Sequence, residues 1–185
     1  MKILWILILA CGTILAASDP ALKSFEERLE AYVKLRKNAT EKVPPLKKKT
    51  TPAEIQEREK LLAEAIRKAR TGAKPGDIFT PEVKPVIHGI LRGSLAGSQG
   101  KKSRAAIKEG NPKNEKAPGE VEPPLIVNAE YPKNSPLSTV PPSLLLRLPK
   151  LPKDLEYRFV GRTLILRDRE AGIVVDYMKE AVPST

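Results

Sequence analysis

Between Leu155 and Tyr177 apolar and polar residues alternate around two turn signals, and this pattern constrains the fold more than any other part of the chain. Gly161-Arg162 suits a two-residue hairpin loop with glycine first, the type II′ arrangement. Pairing Val160 with Thr163 then sets Phe159 opposite Leu164, Tyr157 opposite Leu166 and Glu156 opposite Arg167, so apolar meets apolar and acid meets base. A second turn, Arg169-Glu170-Ala171-Gly172, is expected to return the chain with Val175 facing Leu166 and Tyr177 facing Leu164. One face then carries Tyr157, Phe159, Leu164, Leu166, Val175 and Tyr177, too apolar to meet water. Three strands with such a face need a cover. The other face mixes Arg158, Arg167 and Asp176 with Val160, Ile165 and Val174, and reads as half-solvated or as a partner surface.

The cover is expected from upstream helices. Asp19-Pro20 is a helix start, and Leu22, Phe25, Leu29, Tyr32 and Val33 recur at helical spacing from about Pro20 to Lys37. Thr51-Pro52-Ala53-Glu54 has the spacing of a capping box, followed by a stripe of Ile55, Leu62, Ala65, Ile66 and Ala69, with Gly72 placed to close the helix in a left-handed conformation. Thr80-Pro81-Glu82 opens a third helix with Val83, Val86, Ile87, Ile90 and Leu91 inward. Gly97 to Gly110 reads as a loop around a short basic helical piece at Lys101 to Lys108. Eighteen prolines keep the remaining elements short, among them a strand candidate at Leu125-Ile126-Val127. The fold class is therefore α+β: two or three N-terminal helices with a small C-terminal antiparallel meander.

Residues 1–18 read differently from the rest. Lys2, the apolar run from Ile3 to Ala10 and the small residues Ala16-Ala17-Ser18 have the layout of a secretory signal peptide. Two other readings stay open: a lipoprotein acylated on Cys11, and a retained anchor, although the apolar run falls short of the roughly 20 residues that span a bilayer. The organisation that follows is a signal peptide over 1–18, a helical region over 19–109, a disordered linker over 110–124 poor in apolar residues, and a small β region over 125–185. Cleavage after Ser18 removes the sole cysteine and the sole tryptophan, so the mature chain folds without disulfides. It also leaves 32 Lys and Arg against 22 Asp and Glu, an excess of ten.

The C-terminal segment carries a resemblance. Leu148-Pro149-Lys150-Leu151-Pro152, followed by Leu155 to Arg162 and Leu164 to Asp168, resembles the ending of a family of small exported bacterial proteins to which no activity attaches; Gly76 to Val83 resembles that family more loosely. The hairpin is also similar to the terminal strands of periplasmic nickel and cobalt homeostasis proteins. Both resemblances imply an envelope or secreted location.

Catalytic patterns are sparse. His88 is the single imidazole, which removes most zinc sites, and Gly93-Ser94 and Gly97-Ser98 lack the spacing of a nucleophile elbow. Gly100-Lys101 fails as a phosphate loop because Leu95 and Lys102 stand where Gly and Ser or Thr belong. The enzymatic alternative is a hydrolase using His88 or an Asp168 and Asp176 pair. The preferred reading is a non-enzymatic exported binding or accessory protein without a cofactor or metal. Its candidate anion- or partner-binding residues are Lys101, Lys102, Arg104, Lys108, Arg158 and Arg167, and its partner an acidic protein, anionic lipid or polysaccharide of the envelope. The basic run has no interleaved aromatics, which argues against base stacking and sequence-specific nucleic-acid binding. A structural part in an envelope assembly is the third reading.

Trp5 makes the processing testable. Protein recovered from the envelope or medium is expected to begin at Ser18 or Asp19 and to show tyrosine emission alone; cytoplasmic protein that keeps Met1 and indole emission would overturn export.

Overall fold

The computed structural model describes residues 19–110, 124–132 and 137–183, so the signal segment over 1–18 and nearly all of the linker over 110–124 lie outside the described residues. Helix α1 runs Pro20–Thr40, with Asp19 Oδ1 accepting from Ala21 N at 2.9 Å. It ends three residues later than the periodicity suggests, and its buried stripe of Phe25, Leu29, Tyr32, Arg36 and Ala39 runs on past Val33 because an arginine continues it. Helix α2, Pro52–Ala69, starts in the expected capping box: Thr51 Oγ1 accepts from Glu54 N, and Glu54 Oε2 accepts from Thr51 N at 2.7 Å. Leu62, Ala63 and Ile66 are buried, whereas Ile55 is 49 % exposed because the first turns project past the core. Gly72 is not left-handed; the glycine with positive φ in this connection is Gly76.

Helix α3 spans Val83–Leu95 and buries Val83, Ile87, Leu91 and Leu95 on one face. The helical piece expected at Lys101 to Lys108 is the middle of a complete helix α4, Gly97–Glu109, which takes in the flanking residues expected as loop. Its glycines are required by the close turn between α3 and α4: a Cβ on Gly100 would collide with the Leu95 backbone. The guanidinium of Arg104 closes the same turn by donating to Leu95 O.

Strand β1 (Ser138–Thr139), the one-turn helix α5 (Pro142–Leu145) and strands β2 (Leu155–Val160), β3 (Thr163–Asp168) and β4 (Val174–Met178) complete the fold. The sheet order is β1-β2-β3-β4, antiparallel throughout. The β2–β3 register is the one the sequence implies, from Val160 opposite Thr163 to Glu156 opposite Arg167, and Gly161 turns the hairpin with φ of 55°. The β3–β4 register differs. A bulge between Leu166 and Arg167 sets Leu166 opposite Asp176, Ile165 opposite Tyr177 and Leu164 opposite Met178. Met178 therefore takes the inner position expected for Tyr177, and Asp176 is buried with no exposed surface.

The inner face of the sheet meets the helices in one core, where the Phe25 and Phe79 rings stack at 5.7 Å. The outer face is not left to solvent: Tyr131, Val160, Ile165 and Val174 form a second cluster, with Leu125, Leu137 and Tyr177 packed against it. Residues 125–127 are not a strand; the chain reaches the β4 edge just after them, where Asn128 N donates to Val174 O at 2.7 Å and Glu130 bridges to Ile173.

The hairpin supplies a stability test. Nothing lies within 4 Å of a Cβ on Gly161, so the cost of a side chain there is backbone strain alone. Gly161→Val is expected to cost about 1–3 kcal/mol more than Gly161→Asn, since Asn tolerates positive φ and β-branching does not. Urea unfolding of the two variants checks this; equal midpoints would remove the turn from the account.

Candidate functional site

The two aspartates of the catalytic alternative are both fully buried, and each is consumed by the fold. Asp168 sits at the end of β3. Its Oδ2 accepts from Tyr32 Oη at 2.9 Å and Arg36 Nε at 2.7 Å, and its Oδ1 accepts from the backbone N–H groups of Glu170 and Ala171 at 3.1 and 2.9 Å. Asp176 lies on β4 against the loop before α3. Its Oδ1 accepts from Gly76 N and Tyr177 N at 2.8 and 2.7 Å, and its Oδ2 from Ile78 N and Phe79 N, both at 2.8 Å. A carboxylate offers about four acceptor positions. In both residues all four are taken by fixed donors, so each acts as a clamp between sheet and helices.

Ion pairs extend the first clamp. Arg36 also reaches Glu170 at 2.6 Å and Asp154 at 3.6 Å, and Arg58 of α2 pairs with Glu170. Burial first, and then the Asp168 charge, push the Tyr32 phenol far above its ordinary range, so it stays a donor. The Arg70 guanidinium lies 5.1 Å from the Tyr32 ring centre and donates to Asn128 Oδ1 at 2.7 Å, while Asn128 Nδ2 donates back to Arg70 O at 3.0 Å. His88 is half-buried on α3 and belongs to neither carboxylate cluster. Among the described residues no group of three or more His, Cys, Asp and Glu is placed to hold a metal ion.

The basic candidates fall into two sets on different elements. Lys101, Lys102 and Lys108 are exposed on α4, with Arg104 tied into the helix turn beside them. Arg158 and Arg167 meet on Glu156, at 2.8 and 2.9 Å. Burial is the largest single influence on the Glu156 carboxyl and raises it; the hydrogen bonds and charges of both arginines together outweigh burial and hold it below the usual carboxylate range.

Arg158 also lines a groove of about 550 Å³, whose other cations do not form a basic run in the sequence. Thr139, Val140 and Leu145 form one wall, the chain from Pro149 to Lys153 forms the other, and Leu155 to Tyr157 form the floor. The second wall is fixed to the floor by Tyr157 Oη donating to Pro149 O at 3.2 Å and Leu155 N donating to Pro152 O at 3.0 Å. Lys150, Lys153, Arg158 and Arg169 stand around the groove with Glu156 as the one acid, an excess of three positive charges. Leu145 is 51 % exposed at the rim and Leu146 87 % exposed just outside it. The sequence signal that could have found it is the run Leu144 to Lys153, where leucines, prolines and cations mix without helical or strand period.

No family profile, no curated protein and no solved structure matches this chain.

The clamp account predicts a large effect from a nearly isosteric change. Asp176→Asn sets an NH₂ group against N–H donors that both carboxylate oxygens now accept, and is expected to destabilise by about 1–3 kcal/mol in urea. An unchanged midpoint would show that the four bonds to Asp176 do not hold the loop.

Proposed function

We propose that this chain is a non-enzymatic binding protein, exported behind residues 1–18, that engages an anionic partner through the groove between α5 and β2. The observation that carries this reading is the groove itself: a concave, mostly apolar trough ringed by an excess of cations. Concave basic surfaces focus potential more than the same charges spread over a convex helix, which favours the groove over the exposed lysines of α4.

The distribution of acids supports it. In the C-terminal part of the chain Asp154, Glu156, Asp168, Glu170 and Asp176 all hold arginines or backbone donors. These five acids are engaged, and Glu130 and Glu180 are exposed but do not line the groove, whereas the groove cations Lys150, Lys153 and Arg169 are exposed. Among the described residues no helix is long and apolar enough to cross a membrane.

Equal charge loss at two places tests the reading. Replacing Lys150, Lys153 and Arg169 together by Gln is expected to lower the salt needed to elute the protein from a polyanion column well below that of a variant with Lys101, Lys102 and Lys108 replaced. Coincident elution of the two triple variants would mean that only net charge is sensed, and the groove would lose its assignment.

A further inference from the structure

Resting on the reading of the groove as an anionic-partner site, we infer that the partner is the surface of an anionic lipid bilayer, and that Leu145 and Leu146, on the turn that ends α5, enter it while the groove cations meet the headgroups. The turn supplies the reason. Leu144 and Leu148 are buried in the core, whereas Leu145, Leu146 and Arg147 between them are exposed. Packing stabilises a leucine only where it leaves water, so Leu146 in particular gives the fold almost nothing. Single exposed leucines are ordinary on a protein surface; two in succession on a projecting turn beside a cluster of cations match the make-up of a membrane-facing surface.

The turn is also built so that its backbone loses little on leaving water. An unpaired N–H is expensive to bury in an apolar medium. Pro141 and Pro142 have none, and the N–H groups of residues 144–148 all donate within the turn. Leu144 and Leu145 donate to Pro141 O, Leu146 to Pro142 O, and Arg147 and Leu148 to Leu144 O, at 2.9 to 3.2 Å. The two buried leucines fix the turn to the body of the protein, as does Ser143 Oγ, which lies 3.3 Å from Ser103 Oγ of α4. The outward leucines are thus presented on a closed turn, and little ordering is needed on binding.

The charges around the turn select the lipid. From Tyr131 to Lys153 the sequence holds cations and no acid, and Arg147, Lys150 and Lys153 follow the leucines directly. Arg169 joins them at the groove, and the first acid after them, Asp154, is paired with Arg36. Long basic side chains reach headgroup phosphates while apolar neighbours go deeper. A soluble polyanion would engage the cations and leave the leucines in water. An apolar protein surface would engage the leucines, but a stable protein interface takes roughly 800 Å² and 20–30 residues from each partner, which one turn does not provide. A bilayer offers both, phosphates at its surface and acyl chains directly beneath.

The experiment uses the processed chain, beginning at Asp19, so that the apolar run of residues 3–10 takes no part. It is sedimented with phosphatidylcholine vesicles, with and without phosphatidylglycerol, and run on the polyanion column; urea midpoints check that each variant folds. The expected result is binding to the phosphatidylglycerol vesicles alone, weakened about tenfold by Leu145→Gln combined with Leu146→Gln, while this pair leaves the elution salt unchanged. With Leu146→Trp, which gives the processed chain its sole indole, emission is expected to shift to the blue on those vesicles and to be quenched by lipids brominated on their acyl chains. Vesicle affinity unchanged by the leucine pair, or an emission spectrum that vesicles do not move, overturns the inference. Binding to soluble polyglutamate with none to vesicles overturns it too, and assigns the groove to an acidic protein. If the two triple variants separate on the polyanion column and vesicles do not bind, the anionic-partner reading survives and the bilayer inference falls; if the triple variants coincide, the groove reading falls, whatever the vesicles do.

Discussion

The structure depends on one interaction above the rest: the carboxylate of Asp176, buried on the inner face of the sheet, accepts four backbone N–H groups, three of them from the loop between α2 and α3. Burying an ionised carboxylate is costly unless donors replace water, and four do. The same loop delivers Ile78 and Phe79 to the core and leads into α3, so the position of the third helix is set by a strand near the far end of the chain. Asp168 does for α1 and α2 what Asp176 does for the loop, through Tyr32, Arg36 and the Arg58–Glu170 pair. Hydrophobic burial drives the helices onto the sheet; the two aspartates decide where on it they rest.

This use of acids explains why a protein of moderate positive excess presents a concentrated basic groove. The aspartates and Glu156 are spent on internal partners, and the cations of the Pro149–Lys153 wall stand without an equal number of acids around them. The wall keeps its shape through two backbone acceptors, Pro149 O and Pro152 O, held by β2 itself. The groove and the strand it borders are thus one construction.

Much of the architecture was legible in the sequence, for local reasons. The β2–β3 register followed from parity around Gly161 because every cross-strand pair agreed with it, and the capping box at Thr51 named the start of α2. The β3–β4 register differs from the expected one because alternation alone puts Asp176 on the mixed outer face; what lets it be buried is the backbone of residues 76–79, which no pattern within residues 155–177 reveals. Only the Lys101 to Lys108 piece of α4 is legible, because glycines read as breakers, whereas Gly100 is there to let two helices approach. The outer sheet face read as open because its cover, Tyr131 with Leu125 and Leu137, comes from a proline-bearing stretch with little period of its own. Of the candidate site, Arg158 was found from its strand, but the lysines of the groove wall were not, since they converge only after the chain folds back along β2.

The bonds from Tyr32 and Arg36 to Asp168 join residues 136 and 132 positions apart, and this separation bears on how the molecule is assembled. A ribosome delivers α1 long before β3 exists, and most of the stability of such a helix comes from packing its apolar face against the rest of the fold. Closing a loop of that length costs about 4 kcal/mol in its logarithmic term, recovered only when the hairpin is present to receive the helix. The bonds that lock α1 to the sheet therefore form only once β3 and the turn after it are present. The first helix is thus held to the sheet by contacts of high sequence separation, a feature that slows folding relative to a bundle of neighbouring helices.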